Sequence, residues 1–168
     1  VYNGPVSLGG NLTGIGLAFN DTVAVGANNL VLNSGTGTTA FAKALSAGTN
    51  NLTITGDEID FSAAMTGTGN LTLQPSTNTV GVIVGGSSAT ASLDLTASDL
   101  ANLPNNLASL TLGRTDGSGT LSIAGATNFG TVPVTLNGVG GISQSAALTV
   151  GGLTLNSNGG IVLSNTAN

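Results

Sequence analysis

Cysteine, histidine and tryptophan are absent from the 168 residues of this chain, and charged residues make up only 5%. Without cysteine the chain can form neither disulfides nor a thiolate metal site. Without histidine it lacks the commonest general base and transition-metal ligand. Only two basic residues accompany seven acidic ones. This balance argues against nucleic acid or an anionic membrane surface as a partner, because little positive charge is present to meet phosphate groups.

Long apolar runs are absent as well. No residue after Asp116 is charged, yet Gly, Ser, Thr and Asn interrupt every apolar run. The runs stay well short of the roughly 18 residues that span a bilayer. The chain begins Val1-Tyr2-Asn3-Gly4 with no signal peptide, so we expect a processed chain or a fragment. Low charge combined with 40% hydrophobic residues is also unlike the composition of a disordered chain.

Short pieces that alternate apolar and polar residues recur along the whole chain, such as "NLTI" at 51–54 and "NLTL" at 70–73. This alternation is typical of a strand with one buried face. The first apolar residues of the main pieces are at positions 12, 30, 52, 71, 93, 110, 134 and 153, a mean spacing close to 20. Such a period predicts a solenoid, in which the strands of successive turns stack into a parallel sheet over one core.

Other segments supply the remaining faces and corners of each turn. Glycine-rich corners at 35–37, 67–69 and 85–86 provide the positive φ angles of tight turns. One segment, 96–104, has a helix signature: a Thr-x-x-Asp capping pattern, two leucines three residues apart and a terminating proline. Secondary strands are predicted at Thr22–Val25, Val80–Val84, Thr120–Ile123 and Leu148–Val150.

We therefore predict a single all-β segment over residues 1–168: a parallel β-helix of about eight coils of roughly 20 residues. Neither terminus shows a capping pattern, which favours a slice of a longer solenoid or a unit that stacks end to end. The predicted core consists of the inward residues Leu30, Leu32, Leu52, Ile54, Leu71, Leu73, Leu93, Leu95, Leu110, Leu112, Leu121, Ile123, Leu153 and Leu155.

Four motifs lie between Asn51 and Ile123: "LTITGDEIDF" (52–61), "GTGNLTLQPST" (67–77), "LDLTASDLANL" (93–103) and "LASLTLGRTDGSGTLSI" (107–123). With these motifs in this order, the stretch resembles the repeat region of large secreted bacterial exoproteins of the filamentous haemagglutinin type. The resemblance implies a right-handed parallel β-helix, exported by two-partner secretion or a related route and built as a fibre on the cell surface. Adhesion and biofilm formation are the roles it implies, and it carries over no catalytic residue.

Three of the seven acidic residues, Asp57, Glu58 and Asp60, are crowded into four positions. Residues 55–59 align with 96–100, which predicts that Glu58 and Asp99 accept backbone N–H groups at a helix start. Ile59, Phe61 and Leu100 would then point inward. A Ca²⁺ site on Asp57, Glu58 and Asp60 remains an alternative, because hard cations prefer clustered carboxylates. We assign no catalytic, cofactor-binding or metal-binding residue.

The only arginine lies in the segment Gly113–Gly119, which reads as a turn with Asp116-Gly117 at its tip. We expect Arg114 to bind a neighbouring carboxylate or carbonyl. The segment is not a phosphate loop, since the Lys-Ser/Thr ending and a following helix are missing. The acids are spread along the chain and the arginine stands alone, so we expect no enzymatic activity.

Pairs of the form Thr-x-Thr, at 36–38, 53–55, 66–68 and 77–79, resemble the ranks of ice-binding solenoids. Their spacing is not the coil period, and we interpret them as ordinary strand and turn residues.

The sequence predicts a structural segment of a bacterial surface adhesin or filament, located outside the cell. The near absence of charge and the unpaired strand edges favour self-association, end to end or side by side. Expected partners are copies of the chain, the rest of a longer parent chain, or surface glycans, without a cofactor. The alternative is a binding module for a glycan or ice that uses an exposed face rich in Thr and Asn.

Overall fold

Nearly all regular structure of the protein consists of β-strands, as seen in a computed structural model. The structure describes residues 1–87 and 91–168. Every strand pairing in this part of the chain is parallel, as the solenoid prediction requires. The elements are β1 (Val6–Leu8), β2 (Leu12–Thr13), β3 (Leu17–Phe19), β4 (Val23–Val25), β5 (Leu30–Asn33), β6 (Thr38–Phe41), β7 (Leu45–Ser46), β8 (Leu52–Thr55), β9 (Glu58–Phe61), β10 (Met65–Thr66), β11 (Asn70–Gln74), β12 (Gly81–Val84), β13 (Ser92–Leu95), α1 (Ala97–Ala101), β14 (Ser109–Arg114), β15 (Leu121–Ile123), β16 (Thr127–Asn128), β17 (Pro133–Gly138), β18 (Ile142–Gln144), β19 (Leu148–Thr149), β20 (Gly152–Asn156) and β21 (Ile161–Leu163).

The chain winds into a β-solenoid of about eight turns of roughly 20 residues, so the predicted fold class is confirmed. The first face is one seven-stranded sheet, β2-β5-β8-β11-β14-β17-β20, which we call the long sheet. The second face consists of β3-β6-β9 followed by β13-β12-β15-β18-β21, eight strands in all. The third face carries β1-β4-β7-β10 and β16-β19.

Aliphatic side chains form columns along the inside of the long sheet, and each strand contributes one side chain to a column. In one column Leu52, Leu71 and Leu110 are paired in register, and each is at most 1% exposed. The alternation of the sequence produces this arrangement, because every second side chain of a strand faces the core. Each fully buried leucine contributes about 1.5–3 kcal/mol relative to an exposed one.

A column of aromatic rings lines the second face of the first turns. The rings of Tyr2, Phe19, Phe41 and Phe61 stack with successive centroid distances of 5.0, 5.2 and 5.3 Å. Their planes differ by 12° or less, so the rings lie nearly parallel. Five aromatic residues occur in the whole chain, and four of them form this column. The column covers the first turn as well, since Tyr2 lies over Phe19.

Tight corners between the strands use glycine where the backbone requires it. Gly85 has a φ of +73°, and a Cβ built there would lie 2.7 Å from the carbonyl oxygen of Gly125 in the next turn. Gly35 has a φ of +57° at the corner between β5 and β6. Both positions belong to corners predicted from the sequence.

The predicted helical turn is confirmed. Helix α1 begins after its N-cap Thr96, whose hydroxyl accepts the backbone N–H of Asp99, while the Asp99 side chain accepts the N–H of Thr96. This reciprocal capping box satisfies two donors that a helix start leaves without intrahelical partners. Leu100 and Leu103 pack partly buried against the core. The helix lies on the third face, where the N–H of Met65 donates to the carbonyl of Asn102.

The strand that contains Leu93 lies on a different face of the solenoid from the one predicted. The sequence spacing predicts that Leu93 lies in the main series between Leu71 and Leu110, yet Leu71 pairs directly with Leu110 in the long sheet. Strand β13, which contains Leu93, pairs with β12 on the second face instead. Spacing along the chain cannot distinguish these arrangements, because a Leu-x-Leu piece buries its leucines equally well on any face.

The core prediction is confirmed at twelve of its fourteen positions, all less than 4% exposed. Leu153 is the error, since this residue is 40% exposed, and Leu155 is only partly buried. Both lie in β20, the last strand of the long sheet, which has a neighbour on one side only. A strand at the end of a solenoid lacks the next turn that would cover its inward residues.

Replacing Thr39 by valine should stabilise the protein. Thr39 lies in the core column between Leu17 and Ile59, is fully buried, and its hydroxyl has no hydrogen-bond partner among the described residues. Because a buried hydroxyl without a partner costs free energy, Thr39→Val should raise the free energy of unfolding by about 1–2 kcal/mol in urea denaturation.

Thr127→Val is the matched control, since the buried Thr127 hydroxyl donates to the carbonyl of Gly125 at 3.0 Å. This variant should lose stability. A Thr39→Val protein no more stable than the parent would contradict the account of this hydroxyl.

Candidate functional site

Asp57, at the corner between β8 and β9, joins two successive turns. Its Oδ1 accepts the backbone N–H of Thr77 at 2.7 Å, and its Oδ2 accepts the Thr77 hydroxyl at 2.5 Å. Charge-assisted bonds of this kind are stronger than bonds between neutral groups. Both oxygens of Asp57 are therefore engaged in holding the corner of the next turn.

Glu58 does not occupy a helix start, and that prediction is wrong. It is the first residue of β9, where it pairs in register with Thr38 of β6, and its Oε1 accepts the N–H of Ile59 at 3.1 Å. The aligned segments 55–59 and 96–100 share residue types, but only the second one forms a helix. The prediction that Ile59 and Phe61 point inward is confirmed, since they are 0% and 1% exposed.

Asp99 has the predicted role and an additional one. Besides closing the capping box of α1, its Oδ1 accepts the backbone N–H of Phe61 at 2.8 Å. Asn102, the C-cap of α1, donates its side-chain amide to the carbonyl of Phe61 at 2.6 Å. The helix is thus fastened to the end of β9 by two hydrogen bonds to one residue.

Four carboxyl groups lie around the junction of β9, β13 and α1. Glu58 and Asp60 project from β9 and are half-buried, whereas Asp94 and Asp99 are 2% and 5% exposed. Burial raises the pKa of Glu58 from about 4.5 to about 7. The hydrogen bond from the Ile59 N–H lowers this pKa, whereas the negative charges of the other three carboxyl groups raise it further. Burial also raises the pKa of Asp60, and the negative charges of Asp99 and Asp94 add to this effect. We call these four residues the acidic junction.

No group of three or more acidic side chains in residues 1–87 and 91–168 is arranged to hold a metal ion. Asp57 is turned toward Thr77, while Glu58 and Asp60 project from the outside of β9. The three residues of the alternative calcium site therefore lie on different elements: Asp57 at a corner, and Glu58 and Asp60 on strand β9.

Arg114 binds both partners expected of it. Its Nε and Nη2 donate to the two carboxylate oxygens of Asp116 at 2.8 Å each, and its Nη1 donates to the carbonyls of Pro75 and Ser76 at 3.1 and 2.8 Å. The hydrogen bonds from Arg114 hold the pKa of Asp116 below its ordinary value. The guanidinium thus connects the corner after β14 to the corner after β11, one turn earlier in the long sheet.

A single rank of threonines runs along the outside of the long sheet. Its members are paired in register from strand to strand, so they lie about 4.8 Å apart. None of their hydroxyl groups makes a hydrogen bond to another described residue. Thr154 is exposed, and the other four members are half-buried. The rank, which we call the threonine rank, comprises Thr53, Thr72, Thr111, Thr135 and Thr154.

A ladder of asparagines borders the threonine rank. Asn29 accepts the N–H of Asn51 at 2.9 Å, Asn51 accepts two bonds from Asn70 at 3.1 and 2.9 Å, and Asn70 accepts the Ser109 hydroxyl at 2.7 Å. Each side chain therefore bonds to the next turn. These bonds fix the border of the rank and give this part of the face a uniform, uncharged chemistry.

The threonine rank was missed by the sequence reasoning. Of the adjacent Thr-x-Thr pairs in the sequence, only the pair at 53–55 lies in the long sheet. The usable signal was the middle residue of each Leu-Thr-Leu or similar piece, which recurs at the coil period. Strand register is needed to see the rank, because the step from Thr72 to Thr111 skips one apparent repeat.

Two open grooves also lie on the surface of the described residues. One, of about 340 Å³, follows the outside of β1, β4 and β7 and is lined by small residues such as Pro5, Ser7 and Ala24. The other, of about 190 Å³, separates α1 from β16. Neither groove is lined by a titratable or nucleophilic cluster.

Comparison with protein-family models, with curated proteins and with solved structures found no match to this chain. The one helix in the described part of the chain, α1, has five residues, and no described helix could span a membrane.

Stability should fall as the pH rises through the range in which Glu58 ionises. A carboxyl whose folded pKa is raised favours folding below its unfolded pKa, and this advantage is lost as the pH rises toward the folded pKa. The free energy of unfolding should therefore decrease between about pH 4.5 and 7, by on the order of 1 kcal/mol after allowance for solvent screening. Chemical denaturation at a series of pH values measures it.

Glu58→Gln should remove most of this decrease, since the amide cannot ionise. Asp116→Asn, at an exposed turn, is the control and should leave the decrease in place. Identical pH profiles for the parent and Glu58→Gln would rule out Glu58 as the source.

Proposed function

We propose that this chain is a non-enzymatic structural segment of a bacterial surface adhesin or filament of the filamentous haemagglutinin type, located outside the cell. The observation that carries the proposal is the long sheet, whose seven strands continue in one register from the first turn to the last. A chain built this way serves as a spacer. The motifs between Asn51 and Ile123 support the family and the location.

Links between successive turns suit the proposed mechanical role. In a solenoid the hydrogen bonds between strands run along its axis, and each turn contacts only its neighbours. Here side chains add further axial links: the aromatic column, the asparagine ladder, the Asp57–Thr77 bonds and the Arg114 bonds. About eight turns at roughly 4.8 Å give a rod about 40 Å long.

The partners that fit this role are copies of the chain, the remainder of a longer parent chain, and surface glycans. Residues on the outside of the long sheet between β5 and β11 are uncharged, so like-charge repulsion does not oppose lateral contact. Edge strands with unpaired backbone groups favour strand addition at the ends.

A second candidate function is favoured by the threonine rank. Hydroxyl groups paired in register and bordered by ordered amides form a repetitive surface. Such a surface suits a ligand that is itself repetitive, such as an extended glycan or the lattice of ice. The face would bind through many weak contacts rather than through a pocket.

The spacer role predicts a fixed distance between the ends of the long sheet. Thr13 and Asn156 lie in one register column, six strand spacings apart, and both are exposed. Spin labels on a Thr13→Cys/Asn156→Cys protein should give a narrow distance distribution centred at about 29 Å. The parent has no cysteine, so labelling is specific. A broad distribution, or a much shorter distance, would overturn the rod and with it the spacer role.

The ligand-binding candidate predicts binding that depends on the middle of the threonine rank. Thr72→Arg places a long charged side chain there and should abolish binding on a glycan array or inhibition of ice recrystallisation. Thr115→Arg, on an exposed turn away from the rank, is the control and should bind as the parent does. Failure of the parent to bind either class of ligand would remove this candidate and leave the spacer role standing.

A further inference from the structure

Regular stacking is interrupted at one level of the solenoid. On the second face the sheet β3-β6-β9 ends at β9, and the sheet β13-β12-β15-β18-β21 begins at β13. On the third face the sheet β1-β4-β7-β10 ends at β10, and the pair β16-β19 follows. Among the sheets of the described residues, only the long sheet crosses this level, through the pairing of β11 with β14. We call the boundary between β9 and β13, which lie against each other, the seam.

Side chains cover the edge of β9 at the seam, where the described part of the chain provides no paired strand. The N–H of Ile59 donates to Oε1 of Glu58 at 3.1 Å. The N–H of Phe61 donates to Oδ1 of Asp99 at 2.8 Å, and the carbonyl of Phe61 accepts the side-chain amide of Asn102 at 2.6 Å. Helix α1, which carries Asp99 and is capped by Asn102, therefore closes the seam.

Few contacts hold α1 in place. Its five residues are too few to form a stable helix without tertiary contacts. The N–H of Met65 donates to the carbonyl of Asn102 at 2.8 Å, and Leu100 and Leu103 are only partly buried. The groove of about 190 Å³ separates α1 from β16, so the following turn leaves that side of the helix open. Segments with so few buried contacts open at a lower free energy than the whole fold.

Every charge that acts on Glu58 at the seam is negative. The charged groups are Asp60 of its own strand, Asp94 of β13 and Asp99 of α1. Strand β6, on the other side of β9, has no ionisable residue. Burial raises the pKa of Glu58 to about 7, and these charges add to the effect. Because the closed seam favours the neutral form of Glu58, this stabilisation is present at acidic pH and is lost as the pH rises through about 7.

We propose that α1 is a pH-sensitive latch that closes the seam. At acidic pH α1 stays fastened to the edge of β9. Ionisation of Glu58 places a further negative charge opposite Asp94 and Asp99, so α1 is released more often and the seam opens. The long sheet continues across this level, so the rod bends there while its two parts stay joined. The latch goes beyond the spacer role and does not depend on it.

Native-state hydrogen exchange measures the opening of the latch. The probe is the amide of Met65, because it donates to the carbonyl of Asn102 and not to a carboxylate. The reference is the amide of Ser34, which donates to the carbonyl of Thr55 at 2.8 Å, away from the seam. Protection factors correct each amide for the intrinsic effect of pH on exchange. That of Met65 should be lower than that of Ser34 and should fall about fivefold or more from about pH 5 to about pH 8.

Either of two results would overturn the latch. Equal protection of Met65 and Ser34 at every pH would mean that the seam opens only when the whole chain unfolds. Protection of Met65 that does not fall with pH would mean that charge does not control the seam.

Glu58→Gln tests the trigger, since an amide cannot ionise. This variant should lose most of the fall in protection at Met65. Asp21→Asn, at a corner of the first turn, is the matched control and should keep the fall, because the Oδ1 that accepts the N–H of Thr22 is retained. A fall that persists in Glu58→Gln would contradict the proposal.

The spacer role is tested separately by the distance between labels at Thr13→Cys and Asn156→Cys. That pair lies along the long sheet, and the distance is measured at about pH 5, where the latch is closed. A narrow distance distribution without a pH effect at Met65 overturns the latch alone, whereas loss of that distance overturns the spacer role.

Discussion

Parallel stacking of strands in register is the constraint on which the rest of this structure depends. One short strand cannot bury its own apolar side, and only the turns above and below it cover Leu71 or Leu112. Once the strands are in register, each type of residue forms a column: leucines inside and threonines outside the long sheet, asparagines at its border, and aromatic rings along the second face. A shift by one residue would reverse inside and outside, so the columns reinforce the register that creates them.

Charge is rare in this chain and is concentrated where the regular stacking changes. The acidic junction lies beside a long excursion of the chain between β11 and β14, which contains β12, β13 and α1 and places two strands instead of one on the second face. Asp99 satisfies the end of β9 there, and Arg114 fastens the corner that follows the excursion to the preceding turn. Charged hydrogen bonds thus replace the strand pairing that the excursion interrupts, and burial beside them raises the pKa of Glu58 and of Asp60.

Much of the fold could be predicted from alternation and period, because burial of one strand face leaves a direct pattern in sequence. The capping box at Thr96 and the Arg114 turn were equally local and equally predictable. Three features were not. The face on which Leu93 lies, the exposure of Leu153 and the threonine rank all depend on which strands become neighbours. Glu58 illustrates the same limit, since its segment matches that of Asp99 in residue types but continues a strand set by β6. The threonine rank arises from the register between strands, and the sequence of a single strand does not specify that register.

The pairing of β11 with β14 is the part of the register that most sharply separates this structure from a simple repeat. Oxidation of a Thr72→Cys/Thr111→Cys protein measures it, because neighbouring parallel strands hold paired Cα atoms within disulfide range. The account predicts a bond within one chain that links residues 72 and 111, identified by peptide mapping, with the fold preserved. Failure of this pair to cross-link, together with cross-linking of Thr72→Cys to a cysteine placed at Asp94, would contradict the register of the long sheet.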